Sequence, residues 1–195
     1  MLFNTTTFVF IFMPIVFFGF FLIARIDKKW AMVWLAGSSL FFYGFWSIVS
    51  LPILLGSVCV NYWLSTYITR TDFLYRKIFF IFAVIGNLLI LGYYKYANFF
   101  IDNLNEIRYF FDLTALNSVD VLLPIGISFF TFTQIAFLID SYRGVVKEKN
   151  FIDYIVFVSF FPHLLAGPLL HHKSMMPQFS ITENFKIQLD KVGTG

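Results

Sequence analysis

Leu122-Leu123-Pro124-Ile125-Gly126-Ile127-Ser128-Phe129-Phe130-Thr131-Phe132-Thr133-Gln134-Ile135-Ala136-Phe137-Leu138-Ile139-Asp140-Ser141-Tyr142-Arg143-Gly144 is an apolar run of membrane length. A proline stands at its entrance. Ser128, Thr131 and Gln134 recur inside it, and Asp140, Tyr142 and Arg143 close it. Polar groups within a hydrocarbon span are costly unless they face protein or water. The run therefore reads as a transmembrane helix over 121–139. Pro124 is expected in its first turn, where a missing N–H costs nothing. Spacing by three puts Ser128, Thr131 and Gln134 on one helix face.

The rest of the chain agrees with a membrane protein. Of its 195 residues 59% are hydrophobic and 13% charged, against about 25% charged in a soluble domain. Phenylalanine occurs 29 times, as an aromatic conduit or as lipid-facing filler. The net charge of +3 lies in short basic loops between apolar segments and gives no footprint for nucleic acid. Cys59 is the single cysteine, so there is no internal disulfide and no zinc-ligand spacing. Positive charges follow the first apolar segment (residues 8–24) rather than precede it, unlike a secretory signal. That segment reads as a retained first span.

The 40 residues between Lys29 and Arg70 hold no charged side chain. A crossing needs about 20 residues, so two helices fit, with Trp46, Ser47, Ser50 and Pro52 at the turn. A fourth span runs from Ile78 to Tyr94 and ends in an aromatic belt, Tyr93, Tyr94 and Tyr96. A sixth starts near Phe151 and is interrupted by Pro162, Gly167 and Pro168. The fold class is thus all-α, a polytopic transmembrane protein with about six membrane segments in one domain over 1–195.

Loops 25–29, 70–77 and 140–153 carry Arg25, Lys28, Lys29, Arg70, Arg76, Lys77, Arg143, Lys147 and Lys149. The alternate connections carry only Lys95 and Arg108. The positive-inside rule puts the first set in the cytoplasm and the N-terminus outside. In the outer loop 95–120, Phe100, Leu104, Ile107 and Phe111 fall at helical spacing opposite Asp102, Asn103 and Glu106. An amphipathic helix on the membrane surface is expected there.

Each polar cluster has a chemical and a structural reading. Ser128, Thr131 and Gln134 line a substrate tunnel, or they are interhelical hydrogen-bonding glue. Asp140 and Arg143 form a local ion pair, or they border a site. His163 lies between Pro162 and Gly167-Pro168. Helix breaks at membrane depth need a cavity or protein around them, so His163 either lines the same tunnel, as a general base, or is a hydrogen-bonded interior residue. His171-His172-Lys173 has no third metal ligand near it in sequence, and it reads as a solvated interfacial cluster. No nucleophile elbow, phosphate-binding glycine loop or His-Glu-Xaa-Xaa-His is present.

Leu123 to Phe132, Ile139 to Gly144, Phe160-Phe161-Pro162-His163 and Ala166-Gly167-Pro168-Leu169 resemble motifs of the membrane-bound O-acyltransferase (MBOAT) family. The resemblance is to its bacterial branch, which modifies alginate, peptidoglycan and teichoic acid. Tyr93-Tyr94-Lys95-Tyr96 and the region from Phe41 to Trp46 agree more loosely. The resemblance implies a helical funnel in the cytoplasmic membrane, no bound cofactor, and a thioester donor, acyl-CoA or acyl carrier protein. It implies a hydroxyl acceptor on an extracellular polymer, often reached through an extracellular acetyltransferase partner. It places the family's catalytic histidine beyond residue 195, with His163 the local substitute, and makes this chain an N-terminal portion of the longer domain. The competing function is a transporter or channel, which should carry an ionisable group deep in a span. None lies well inside one here. A catalytically incompetent fragment is the third reading.

Overall fold

The computed structural model describes residues 5–72, 74–146, 150–164, 175–176, 178–179 and 181–185, without the side chains of 163, 164, 182 and 183. Among the described residues all regular structure is helical. Two helices are long and apolar enough to cross a membrane, Leu51–Ile68 and Arg76–Phe110. A shorter apolar helix occupies Phe8–Ala24.

The first segment opens with a π-helical turn, Phe8–Phe12, and continues as α1, Met13–Ala24. Pro14 explains the change of winding. It has no N–H to donate to the carbonyl four residues back, and its ring crowds that carbonyl. The preceding turn loosens, and Met13 N–H reaches Phe8 O instead. The extra width brings Phe8 and Phe12 into one cluster with Phe42 and Phe161, all six ring pairs lying within 5.4 to 6.0 Å. These four phenylalanines are core.

Helix α2, Lys28–Trp46, starts where the Asp27 carboxylate accepts from Lys29 N–H at 2.7 Å. Helix α3, Leu51–Ile68, has Pro52 in its first turn, after a bend in which Ser47 and Ser50 hydroxyls meet at 2.7 Å. Helix α4, Arg76–Phe110, is one uninterrupted element of 35 residues. At 1.5 Å per residue it is about 52 Å long, against about 30 Å of hydrocarbon. The expected surface helix is therefore the continuation of the fourth span. No breaker separates Tyr94 from Phe100, so helix formation simply propagates through the aromatic belt. Residues 113–121 run back along this extension.

Helix α5, Ile127–Tyr142, begins later than expected. Gly126 is left-handed at φ 71°, and Ile127 N–H closes a turn onto Pro124 O at 3.2 Å. Pro124 thus lies before the helix, not in its first turn, because the left-handed glycine cannot be continued into a right-handed coil. Helix α6, Phe151–Ser159, is capped by Asn150 and stops at Phe160, which is extended at ψ 109°. The four-residue α7, Phe161–Leu164, follows with Pro162 in its first turn. The break expected at Pro162 is thus present; Gly167 and Pro168 lie outside the described residues.

Helices α3, α4 and α5 pack on one another, and α2 packs on α1 and α6. Contacts of α6 with α3 and α5 join the two groups.

Candidate functional site

The junction between the two groups is polar at its centre. Gln134 on α5 is 0% exposed. Its Oε1 accepts from Asn61 Nδ2 at 2.7 Å and from the Tyr154 hydroxyl at 3.2 Å. Its Nε2 donates to Ser57 Oγ at 3.0 Å. Asn61 on α3 and Asn87 on α4 exchange amide hydrogen bonds of 3.0 and 2.6 Å. Both also donate to the helix carbonyl one turn back, on Ser57 and Ala83. One network therefore ties α3, α4, α5 and α6, with the Phe137 ring 4.3 Å from that of Tyr154 beside it.

Of the four expected tunnel residues, the three on α5 part company on this scaffold. A three-residue step falls about 60° short of a full turn, so Ser128 and Gln134 point about 120° apart rather than on one face. Gln134 is inside the network. Thr131, one turn earlier, is 1% exposed, and its hydroxyl has no hydrogen bond among the described residues. Ser128 is half-buried near the mouth of α5. His163 lies in α7, and its side chain is outside the described residues, as are His171 and His172. Among the described residues no group of three His, Cys, Asp or Glu side chains gathers to hold a metal.

The Asp140–Gly144 motif turns out to be a helix stop. Val145 N–H bonds Asp140 O at 2.9 Å, Gly144 N–H bonds Ser141 O at 3.2 Å, and Gly144 has φ 74°. That is a Schellman cap, which needs a left-handed residue at this place. Among the described residues no ion pair joins Asp140 to Arg143. The cation that acts here is Arg76. Its Nε donates to Ile68 O at 2.6 Å, an Nη donates to Tyr142 O, and the guanidinium lies 4.6 Å from the Tyr142 ring centre. Arg76 thus closes the carbonyl ends of α3 and α5, where positive charge is favoured. The opposite end of α5 is held by the Tyr43 hydroxyl, which donates to Ile125 O at 2.9 Å.

Sequence reasoning passed over Asn61, Asn87, Ser57 and Tyr154, and it read Arg76 only as a charge of a basic loop. The signal for the asparagines is present: each is the lone asparagine in an apolar span, where an amide must find a protein partner. Nothing in the pattern says that the partner is Gln134, because that depends on how the helices meet.

Known proteins resemble this chain along most or all of its length. The chain is 37% identical to the peptidoglycan O-acetyltransferase of Helicobacter pylori, over 100% of this chain and 42% of that protein. It is 39% identical to the probable alginate O-acetylase AlgI of Pseudomonas aeruginosa, over 92% of this chain and 35% of that protein. The Pseudomonas putida AlgI is 38% identical over 100% of this chain and 40% of its own length. The chain matches part of the bacterial membrane-bound O-acyltransferases. It spans about two fifths of the length of these relatives. No family model and no solved structure matches. Within the matched region the motifs that carried the resemblance sit at helix ends: Pro124-Ile125-Gly126 before α5, Asp140–Gly144 after it, and Phe160–His163 at the break between α6 and α7.

Proposed function

We propose that this chain forms one wall of an O-acyltransferase that moves an acyl group, acetyl, from a cytoplasmic thioester to hydroxyls of an extracellular polysaccharide or cell-wall polymer. The observation that carries this reading is the 37% identity over the whole chain with a peptidoglycan O-acetyltransferase. The setting is the bacterial cytoplasmic membrane, with about six membrane segments and the N-terminus outside. The basic residues of loops 25–29, 70–77 and 140–153 support that orientation. The donor is acyl-CoA or an acyl carrier protein, and an extracellular acetyltransferase partner receives the group.

In this reading Ser128 and Thr131 face the acyl path. Ser128, half-buried at the start of α5, is open to it, and the Thr131 hydroxyl, without a hydrogen bond among the described residues, lies one turn deeper in the wall. Gln134 acts behind them by holding α3, α4 and α6 to α5. The general base belongs to a part of the enzyme outside residues 1–195, with His163 as the local alternative. A base must lie within hydrogen-bond reach of the acceptor hydroxyl in a site that excludes bulk water.

The test is acyl release from a labelled acetyl thioester onto a polymer hydroxyl, in membranes carrying residues 1–195. It is run with and without a complement taken from the unmatched part of the Helicobacter pylori relative. Activity only with the complement, retained in His163→Ala and lowered about tenfold or more in Thr131→Val, is expected; a buried catalytic hydrogen bond is worth that much. Activity of residues 1–195 alone, abolished by His163→Ala, overturns the assignment of the base.

A further inference from the structure

Helices α1 and α2 leave a long groove on the outer face of the bundle, of about 830 Å³. Ile11, Ile15, Ile26, Trp30, Val33 and Gly37 line it, and its wall is almost wholly apolar. From Ile11 in the π-helical turn it follows the whole of α1 to Ile26 just beyond it; α1 alone, at 12 residues, is about 18 Å long, more than the depth of one leaflet, which is about 15 Å.

The floor of the groove is closed by direct helix contact. Trp34 Nε1 donates to Val16 O at 3.1 Å. A Cβ built on Gly19 would stand 2.8 Å from the Trp34 ring, so the indole rests on the α1 backbone. With the helices touching at this level, the space that remains is a trough along their seam that a chain of methylenes can fill. At Gly37, by contrast, an added Cβ meets nothing within 4 Å, so the groove is open there.

One end of the groove is charged. Ile26 and Trp30 line it, and the exposed Arg25 and Lys29 are their immediate neighbours. The nearby Asp27 carboxylate is turned onto Lys29 N–H as a helix cap. Basic side chains beside an exposed indole mark the headgroup level of a membrane. This is also the end that the basic loops assign to the cytoplasm.

We propose that α1 and α2 bind one anionic phospholipid of the cytoplasmic leaflet, with an acyl chain in the groove and the phosphate between Arg25 and Lys29. The inference rests on the membrane reading above but not on acyl transfer. The occupant is chosen by the combination of an apolar trough, a leaflet-scale length and two cations at one end.

The experiment is native mass spectrometry of the protein, at its full encoded length, after extraction and incubation with phosphatidylglycerol or phosphatidylcholine. One retained phosphatidylglycerol is expected, preferred by roughly tenfold or more, since each basic residue near a surface contributes to anionic lipid attraction. Arg25→Gln/Lys29→Gln should abolish the preference while retaining lipid. Gly37→Phe should abolish retention, because its Cβ meets no protein atom within 4 Å and its ring enters the trough. Equal retention of the two lipids by the wild type overturns the proposal. So does undiminished retention in a Gly37→Phe protein with a wild-type melting curve. A photo-crosslink from position 37 to a second polypeptide rather than to lipid overturns it too. A protein that does not fractionate with membranes fails the membrane reading itself, and does so visibly before any lipid is added.

Discussion

Asparagine pairs hold this molecule together in two places, with the same atoms and opposite surroundings. Asn61 and Asn87 sit 3% and 6% exposed between α3 and α4 and bond each other and Gln134. On the far extension of α4, Asn98 pairs both its amide atoms with the backbone of Val119, at 2.9 and 3.0 Å. Asn105 does the same with Leu116, at 2.6 and 2.9 Å. Arg108 adds a bond to Thr114 O at 2.7 Å. The outer clip replaces bonds that water would otherwise make, so its net worth is small. The inner network has no such substitute, so each group left alone bears its full desolvation cost. The same amide chemistry is a fastening in one place and a condition of folding in the other.

The sharpest break of that comparison is Asn61→Leu. It strands Asn87, Gln134 and one face of the network, and a loss of about 3 kcal/mol is expected from unsatisfied buried amides. Thermal unfolding in detergent checks it. The double variant Asn61→Leu/Asn87→Leu should lose less than the sum of the two single variants, because the two share one bonded unit.

A charged counterpart lies at the end of α5. Arg76→Gln should cost about 2 kcal/mol, since it removes charge-assisted bonds to Ile68 and Tyr142. Its hydrogen-exchange signature should be confined to the ends of α3 and α5. Uniform loosening of the whole bundle would contradict the clasp.

Packing gives a control without polar atoms. Gly19→Ala places a methyl against the Trp34 ring and should cost about 1 kcal/mol or more by overpacking. In a Trp34→Leu background the same substitution should be nearly neutral. Equal cost in both backgrounds would remove the indole from the explanation.

The smallest effect is expected at the outer clip. Asn105→Ala should change global stability by less than about 0.5 kcal/mol, as exposed positions usually do. It should nonetheless raise amide exchange at Leu116 and proteolysis within 113–121. A global loss as large as that of Asn61→Leu would erase the contrast between the two regions.

Several elements were legible because the signal is local. The first apolar segment, read as 8–24, is the helical segment Phe8–Ala24. The uncharged stretch before Arg70 divides into two helices at Ser47–Ser50, where Pro52 restarts the coil. The break before Pro162 follows from the missing N–H. Misplaced boundaries had local causes too, but weaker ones. Pro124 is compatible with a helix start and with a preceding turn, and only the positive φ of Gly126 separates the two. The extension of α4 past Tyr94 was hidden because a change from apolar to amphipathic pattern does not itself stop a helix.

Hydropathy, charge alternation and motif order by themselves determined that this is a helical membrane-type chain, and pointed to the O-acyltransferase family. Those are sums over neighbouring residues and need no knowledge of partners. Only the tertiary structure decided which polar residues meet. Asn61 and Gln134 are 73 positions apart in the chain and 2.7 Å apart in space. That distance is set by the way α3, α4, α5 and α6 pack, and the linear pattern carries each amide's need for a partner but not the partner's address.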